Sequence, residues 1–318
     1  MKDKLPILFK ATVSFAILAF IFTRIDLSQI ATRLQYLSLP FIIFALLFYT
    51  GCQWLSCLRW QVVLKSAGYL IPIRYLLSSY FAGMFVSIFL PSSVGGDVYR
   101  VYRITKVIDA PETAFASVFL ERFTGLAAVF ALALVGIPPA IKIIGSWDII
   151  LLFLICAGII WGGFLLIASP WLLNLSRPWL KKIRLGGLCD RLDKVQFIVI
   201  QYLKHRQSLG LAIAISFVIQ LSIIFYQYLL AQQLKIPISY LELLVFTPIS
   251  IVVTLMPISL GGLGIQEGLW AYLFTRIGLT AEQAVLLSLT FTILGWILAL
   301  PGAIILLLDS KGLKTTKQ

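Results

Sequence analysis

Six stretches of this chain are apolar over about the length a helix needs to cross a bilayer, and that leaves few folds open. A hydrocarbon core of about 30 Å takes roughly 20 residues of helix. Residues 5–23, 40–58, 113–137, 148–168, 209–234 and 284–308 come close enough to cross. With 60% hydrophobic and 12% charged residues, the chain is no ordinary soluble domain, whose charged fraction is about twice as high. Backbone polar groups in lipid must be satisfied internally, so the expected fold is an all-α polytopic membrane protein.

Two further apolar runs, 75–90 and 243–256, would reach only about 21–24 Å as straight helix. Both end at the same kind of break. Pro91-Ser-Ser-Val-Gly95-Gly96 and Pro257-Ile-Ser-Leu-Gly261-Gly262 share a proline, a serine and two glycines at one offset. Upstream, Ile71-Pro72-Ile73-Arg74-Tyr75-Leu76 returns as Ile236-Pro237-Ile238-Ser239-Tyr240-Leu241, and downstream Glu112, Ala114 and Gly125 have counterparts in Glu282, Ala284 and Gly295. These matches read as an internal duplication within one membrane domain, 1–318, with a first repeat over 1–147 and a second over 148–310. Two Gly/Pro-broken segments at corresponding places in two halves are the best sequence pointer to a transporter's binding site.

Charge in the loops sets the orientation. The N-terminal lysines, the 170–207 linker with eight Lys/Arg against two Asp, and Lys311, Lys314 and Lys317 are expected in the cytoplasm. Loop 59–74 joins them by the same rule, with Arg59 beside Trp60 read as an interfacial anchor. Parity then makes 75–96 enter and leave on the cytoplasmic face and 242–276 on the opposite one. The expected architecture is six full spans plus two re-entrant helical hairpins in an inverted repeat, in the plasma membrane, with both termini cytoplasmic. The N-terminal run lacks a clear small-residue cleavage site and is expected to be retained as the first span.

The net charge of +13 follows the breaks between apolar runs, so it points to anionic headgroups rather than nucleic acid. In the linker 170–207, Leu188, Leu192, Val195, Val199 and Tyr202 repeat at four-three spacing, which predicts an amphipathic helix. It is expected either in the headgroup layer, with Trp171, Trp179, Lys181, Lys182 and Arg184 on anionic lipid, or docked on the bundle by its apolar stripe. Cys52, Cys57, Cys156, Cys189 and His205 lack the paired spacing of zinc or redox sites, so no metal or cofactor is expected. No Walker-type phosphate loop is present, which argues against ATP as a direct energy source. Pro138-Pro139 and Pro301-Gly302 read as helix punctuation.

The candidate site residues cluster around the breaks. After Gly95 and Gly96, Asp97 and Arg100 sit at i,i+3 on a short helix whose free N-terminal amides could hold a phosphate, with Arg100 or Arg103 supplying bidentate contacts. The competing role is helix packing by the glycines and capping by Asp97. Glu121 and Arg122 lie about nine residues into span 113–137, too deep for two interfacial anchors. Adjacent residues point about 100° apart on a helix, so they need not pair with each other. They are either functional or a structural ion pair with Asp97, Arg100 or Glu267. Gly261, Gly262, Gly264 and Glu267 form the mirror site, where Glu267 is either a proton carrier or a hydrogen-bonded helix-end carboxylate.

Pro91-x-x-x-Gly95-Gly96-Asp97-x-x-Arg100, then Glu121-Arg122, then Pro257-x-x-x-Gly261-Gly262-x-Gly264-x-x-Glu267-Gly268 resembles the membrane domain of the lysylphosphatidylglycerol synthase family, also called flippase-like integral membrane proteins. The likeness covers nearly the whole chain. It implies a lipid-translocase-like fold that passes a phosphorylated, in some members aminoacylated, lipid between leaflets. Asp97, Arg100, Glu121, Arg122 and Glu267 stand at the matching positions. The soluble synthase domain of some members has no counterpart here, so synthase activity is not expected.

Three function classes stay open. A lipid flippase would hold the phosphate with Arg100, Arg103 and Arg122, while Asp97, Glu121 and Glu267 balance charge or couple to an ion gradient. An intramembrane transferase or hydrolase on a lipid phosphate or lipid-linked sugar would need a nucleophile or base that the motifs do not supply. In a membrane scaffold the deep charges would only set helix packing. The partners implied are membrane phospholipids or polyprenyl-phosphate lipids, with a homo-oligomer or a lipid-modifying enzyme as protein partner.

Overall fold

Local signals start most helices where the apolar runs begin. The computed structural model describes residues 23, 27–89, 95–144, 147–172, 174–175, 186–255 and 264–315. Among these, α1 spans Leu27–Leu34, α2 Leu39–Ser66, α3 Ile73–Phe89, α4 Gly95–Ile108, α5 Pro111–Ile144 and α6 Asp148–Ala168. The linker helix α7 spans Gly186–Lys204, followed by α8 Arg206–Gln233, α9 Tyr240–Thr254, α10 Ile265–Arg276, α11 Ala281–Ala299 and α12 Pro301–Thr315. Ser38 caps α2, with proline in the first turn. Capping boxes open α9 through Ser239 and Glu242 and α11 through Thr280 and Gln283. Each satisfies two of the amide groups that a helix start leaves without partners.

The chain is an all-α polytopic protein, and among the described residues four helices are long and apolar enough to cross a membrane: Leu39–Ser66, Pro111–Pro139, Arg206–Gln233 and the rod Ala281–Asp309, which bends at Pro301. Shorter apolar helices cover Ile73–Phe89, Ile150–Leu165 and Tyr240–Thr254. The expected span 5–23, the break residues Pro91 and Ser93, and the break Pro257–Gly262 lie outside the described residues, as do Trp179, Lys181, Lys182 and Arg184.

A long helix, two short ones and another long helix occur twice in the same order. The duplicated motifs fall at matching places: Ile73 and Tyr240 open the first short helix, and Glu112 and Glu282 sit in the first turn of the second long one. The first long helices, α2 and α8, pack side by side and run antiparallel. Arg59 meets Ser216 at one end of their contact, and Phe48 and Tyr49 stack on Tyr226 further along.

Each pair of short helices folds back on itself. In α3 and α4, Arg103 donates to the Ser78 hydroxyl at 3.0 Å and Tyr75 donates to the Arg103 carbonyl at 2.8 Å, while Gly83 lies against Gly96 nearer the turn. In α9 and α10, Phe246 meets Phe274 with ring centroids 6.3 Å apart. The hairpins then cross over. The first packs on the bent rod, where Gly302 lies against Phe81 and Phe85, and the second packs on α5, where Gly136 lies against Val245.

Two expectations change, and one alternative left open is decided. Helix α2 continues through Arg59 to Ser66, so Arg59 is not at an interfacial helix end. Helix α5 continues through Pro138 and Pro139 to Ile144; the missing amides remove hydrogen bonds there without ending the helix. Helix α7 docks on the bundle: Val195, Val199 and Tyr202 are buried with Ala116, Leu120 and Phe164, leaving Lys194 and Phe197 outward.

The hairpin contact is tested by one methyl group. A Cβ on Gly83 would lie 2.9 Å from the Gly96 carbonyl oxygen and 3.1 Å from Arg100 Cγ. Gly83→Ala is expected to destabilise the protein by about 1–3 kcal/mol through overpacking. Gly158→Ala, whose Cβ would meet nothing within 4 Å, should not. Thermal unfolding of both variants in detergent reads the difference.

Candidate functional site

Glu121 faces inward from α5 and is 1% exposed. Its Oε1 pairs with Arg59 Nη2 from α2 and accepts the Tyr80 hydroxyl of α3 at 2.9 Å. Its Oε2 pairs with Arg100 Nη2 from α4 at 3.0 Å. Arg59 also donates to Ser216 Oγ of α8 at 2.9 Å. One carboxylate therefore ties three other helices to α5 directly and a fourth, α8, through Arg59, and each of its bonds to a guanidinium is charge-assisted.

Arg100 is held at both Nη atoms and against two rings, while its buried Nε makes no hydrogen bond. Its Nη1 meets Asp97 Oδ1 at 3.1 Å, and its guanidinium carbon lies 4.1 Å from the Trp60 ring centroid and 4.0 Å from that of Tyr80. Two aromatic faces and two carboxylates replace the water that this cation loses. Trp60 is fixed in turn by its indole N–H, which donates to Ser117 Oγ at 3.1 Å. Gly125 makes room for Arg59, since a Cβ there would lie 2.8 Å from Arg59 Nη1.

The other carboxylate oxygen of Asp97, Oδ2, pairs with Arg122 Nε. The Arg122 side chain is 41% exposed. It ends an apolar groove of about 260 Å³ between α4 and α5, walled by Val98, Val101, Phe115, Val118 and Phe119. Three guanidiniums, those of Arg59, Arg100 and Arg122, thus meet two carboxylates, Asp97 and Glu121, in one connected cluster.

Arg103 lies apart from this cluster. Its Nε pairs with Asp309 Oδ2 of α12 at 3.1 Å, and the same oxygen accepts the Tyr99 hydroxyl at 2.7 Å. Glu267 is elsewhere again, in the first turn of α10. It accepts from the Gly264 amide at 2.6 Å and from the Ser288 hydroxyl at 2.9 Å. Gly264 holds a φ of +85°, a conformation that favours glycine. Of the two roles the sequence left open for Glu267, this geometry is that of the helix-end carboxylate. Gly95 and Gly96 open α4, with the Gly96 amide donating to Ser87 Oγ at 3.1 Å. Gly261 and Gly262 lie outside the described residues.

The structure therefore brings together Asp97, Arg100, Glu121 and Arg122, and leaves Arg103, Gly264 and Glu267 outside that group. Sequence reasoning missed Arg59, Trp60, Tyr80, Ser216 and Asp309 as contributors. Arg59 had a readable signal: Val62, Val63 and Leu64 carry the apolar pattern past it, so the helix need not end at the charge.

The family model described as the lysylphosphatidylglycerol synthase TM region matches residues 7–302. The chain belongs to that family. A relative is the UPF0104 membrane protein PH1989 of Pyrococcus horikoshii, 24% identical over 295 residues that cover 85% of this chain and 88% of that protein. No solved structure matches. This member of the lysylphosphatidylglycerol synthase TM family is accordingly a multi-pass integral membrane protein, with the family's association with membrane lipids.

The buried network makes a stability prediction. Glu121→Gln would leave two buried guanidiniums facing one neutral amide, which is expected to cost about 3–5 kcal/mol. Arg59→Gln alone should also destabilise, and the double variant should lose less than the sum of the two. Chemical unfolding in detergent measures this coupling; strict additivity would mean that the pair does not act as one unit.

Proposed function

We propose that this protein moves a phosphorylated lipid between leaflets, with the phosphate held at Arg122 and an acyl chain along the groove beside it. The observation that carries the reading is the apolar groove lined at one end by Asp97 and the partly exposed guanidinium of Arg122. An anionic lipid offers both features in one molecule: a hydrocarbon chain for Val98, Phe115 and Phe119, and an anion for Arg122. Arg100, enclosed by its partners, serves as a positioning residue, and Asp97 links it to Arg122. Arg103, with its partner Asp309, would tie the first hairpin to the bent rod rather than meet the phosphate directly.

The architecture suited to this task is an inverted repeat of six spans and two re-entrant hairpins. Antiparallel packing of α2 on α8 and the exchange of hairpins between halves both support it. Halves related in this way can open a central site to one face and then to the other. On this reading both termini are cytoplasmic, the membrane is the plasma membrane, and the chain acts by transport rather than by synthesis. The substrates are phospholipids, aminoacylated ones included, or polyprenyl-phosphate lipids. A lipid-modifying enzyme would be a fitting partner, and the basic linker would face anionic headgroups.

Leaflet exchange of headgroup-labelled phospholipids in proteoliposomes tests the reading, with empty vesicles as the background. Arg122→Gln is expected to slow exchange about tenfold or more, the worth of one lost charge-assisted contact, while the amount of folded protein is unchanged because the side chain is half outward. Arg100→Ala should instead reduce the folded protein itself. Absence of exchange with anionic, aminoacylated and polyprenyl lipids would overturn the proposal, and product formation in detergent, where there are no leaflets, would replace it with an enzyme.

A further inference from the structure

The second hairpin encloses a cavity quite unlike the first. It measures about 180 Å³ and is lined by Gln220 and Gln227 of α8, Thr247, Ser250 and Thr254 of α9, Gln266 and Trp270 of α10, and Phe291 of α11, with Ile223 and Ile251. No charged side chain is among these lining residues. Glu267, the nearest carboxylate in sequence, is turned to Gly264 and Ser288.

The duplication makes this cavity the counterpart of the charged cluster. The offset that aligns Gly96 with Gly262 brings Arg100 onto Gln266, and the one that aligns Gly125 with Gly295 brings Glu121 onto Phe291. Where the first copy has a buried ion pair, the second has an amide and an aromatic ring beside a cavity. The two sites also adjoin along α8: Ser216, which takes a hydrogen bond from Arg59, is one turn from Gln220.

Two of the lining residues carry polar groups that lack partners. The Trp270 indole N–H and the Ser250 hydroxyl are buried, in side chains 1% and 3% exposed, with no hydrogen bond. Leaving such groups unpaired is costly, and a native fold does so where a ligand or water completes them. The indole N–H only donates, so it opposes a cation, and no cation lines the cavity to hold an anion. A hydroxyl group can accept from Trp270 and either donate to Ser250 or accept from it.

We propose that this cavity binds a neutral, hydroxyl-bearing group of a lipid headgroup, a glycerol or a hexose, with its hydroxyls on Trp270, Ser250 and the glutamine amides and its carbon face on Phe291. The assignment rests on the lipid-handling reading for the class of molecule, and on the cavity alone for the group it holds. Binding tests it without any need for transport.

Native mass spectrometry of the purified protein in detergent would compare four lipids with the same acyl chains. Phosphatidylglycerol should be retained over phosphatidic acid, and a monohexosyl diacylglycerol over diacylglycerol. A preference in only one pair still supports the cavity and identifies glycerol or sugar as its source. Trp270→Phe and Ser250→Ala, each removing one hydrogen bond, should weaken the hydroxyl-bearing lipid about fivefold and leave phosphatidic acid unchanged. Gln220→Leu provides a third variant should either of these fold poorly. Equal retention within both pairs by the wild type, or unchanged binding in the folded variants, would overturn the proposal and leave a water-filled cavity. Arg122→Gln separates the two readings: if it leaves phosphatidic acid binding intact, the phosphate assignment fails while the hydroxyl preference stands on its own.

Discussion

Glu121 is the charge on which the first half of the molecule depends. A carboxylate at this depth is tolerable only with counterions, and Arg59 and Arg100 supply them from two different helices. Those guanidiniums are themselves tolerable only because Glu121 is there. Neither side can be withdrawn without leaving a buried charge alone, so α2, α4 and α5 are held in one arrangement. Such a network is weak evidence for net stability, because desolvation offsets much of the attraction. Its effect is to fix positions, and one of the positions it fixes, through Asp97, is that of Arg122.

Adjacent residues on a helix then do different jobs. Glu121 and Arg122 are neighbours in sequence but point about 100° apart, and each finds partners of its own: Glu121 with the inward guanidiniums, Arg122 with Asp97 at the groove. Asp97 is shared, one oxygen on Arg100 and the other on Arg122. A ligand anion arriving at Arg122 would compete for a cation whose partner is also held by Arg100.

This division explains what the sequence could and could not disclose. Length and hydropathy located the four long helices, because membrane thickness and backbone satisfaction act on the chain locally. The i,i+3 pair of Asp97 and Arg100 was legible for the same reason. Arg59 was not: a charge beside a tryptophan near the end of an apolar run looks like an anchor, and its true setting depends on a carboxylate 62 residues away. Asp309 was hidden similarly, since its partners Tyr99 and Arg103 lie about 210 residues upstream. The docking of α7 through Val195, Val199 and Tyr202 depended on which surface met its apolar stripe, and periodicity alone does not say whether that surface is lipid or protein.

The two matching stretches of the chain carry unequal chemistry. Had both copies kept an Arg100 and a Glu121, the middle of the molecule would hold two competing anion sites, and a headgroup could rest at either. Replacement by Gln266 and Phe291 removes that competition. A neutral cavity neither attracts the phosphate away from Arg122 nor repels it, yet it still offers hydrogen bonds to whatever the phosphate carries. For a carrier whose site must release its cargo as well as bind it, one charged contact and several weak neutral ones are preferable to two strong ones, because each added charge-assisted contact deepens the bound state by about a factor of ten or more. On the proposed transport reading, the difference between the two stretches is what selection for turnover would give, since affinity has to stay low enough for the lipid to leave.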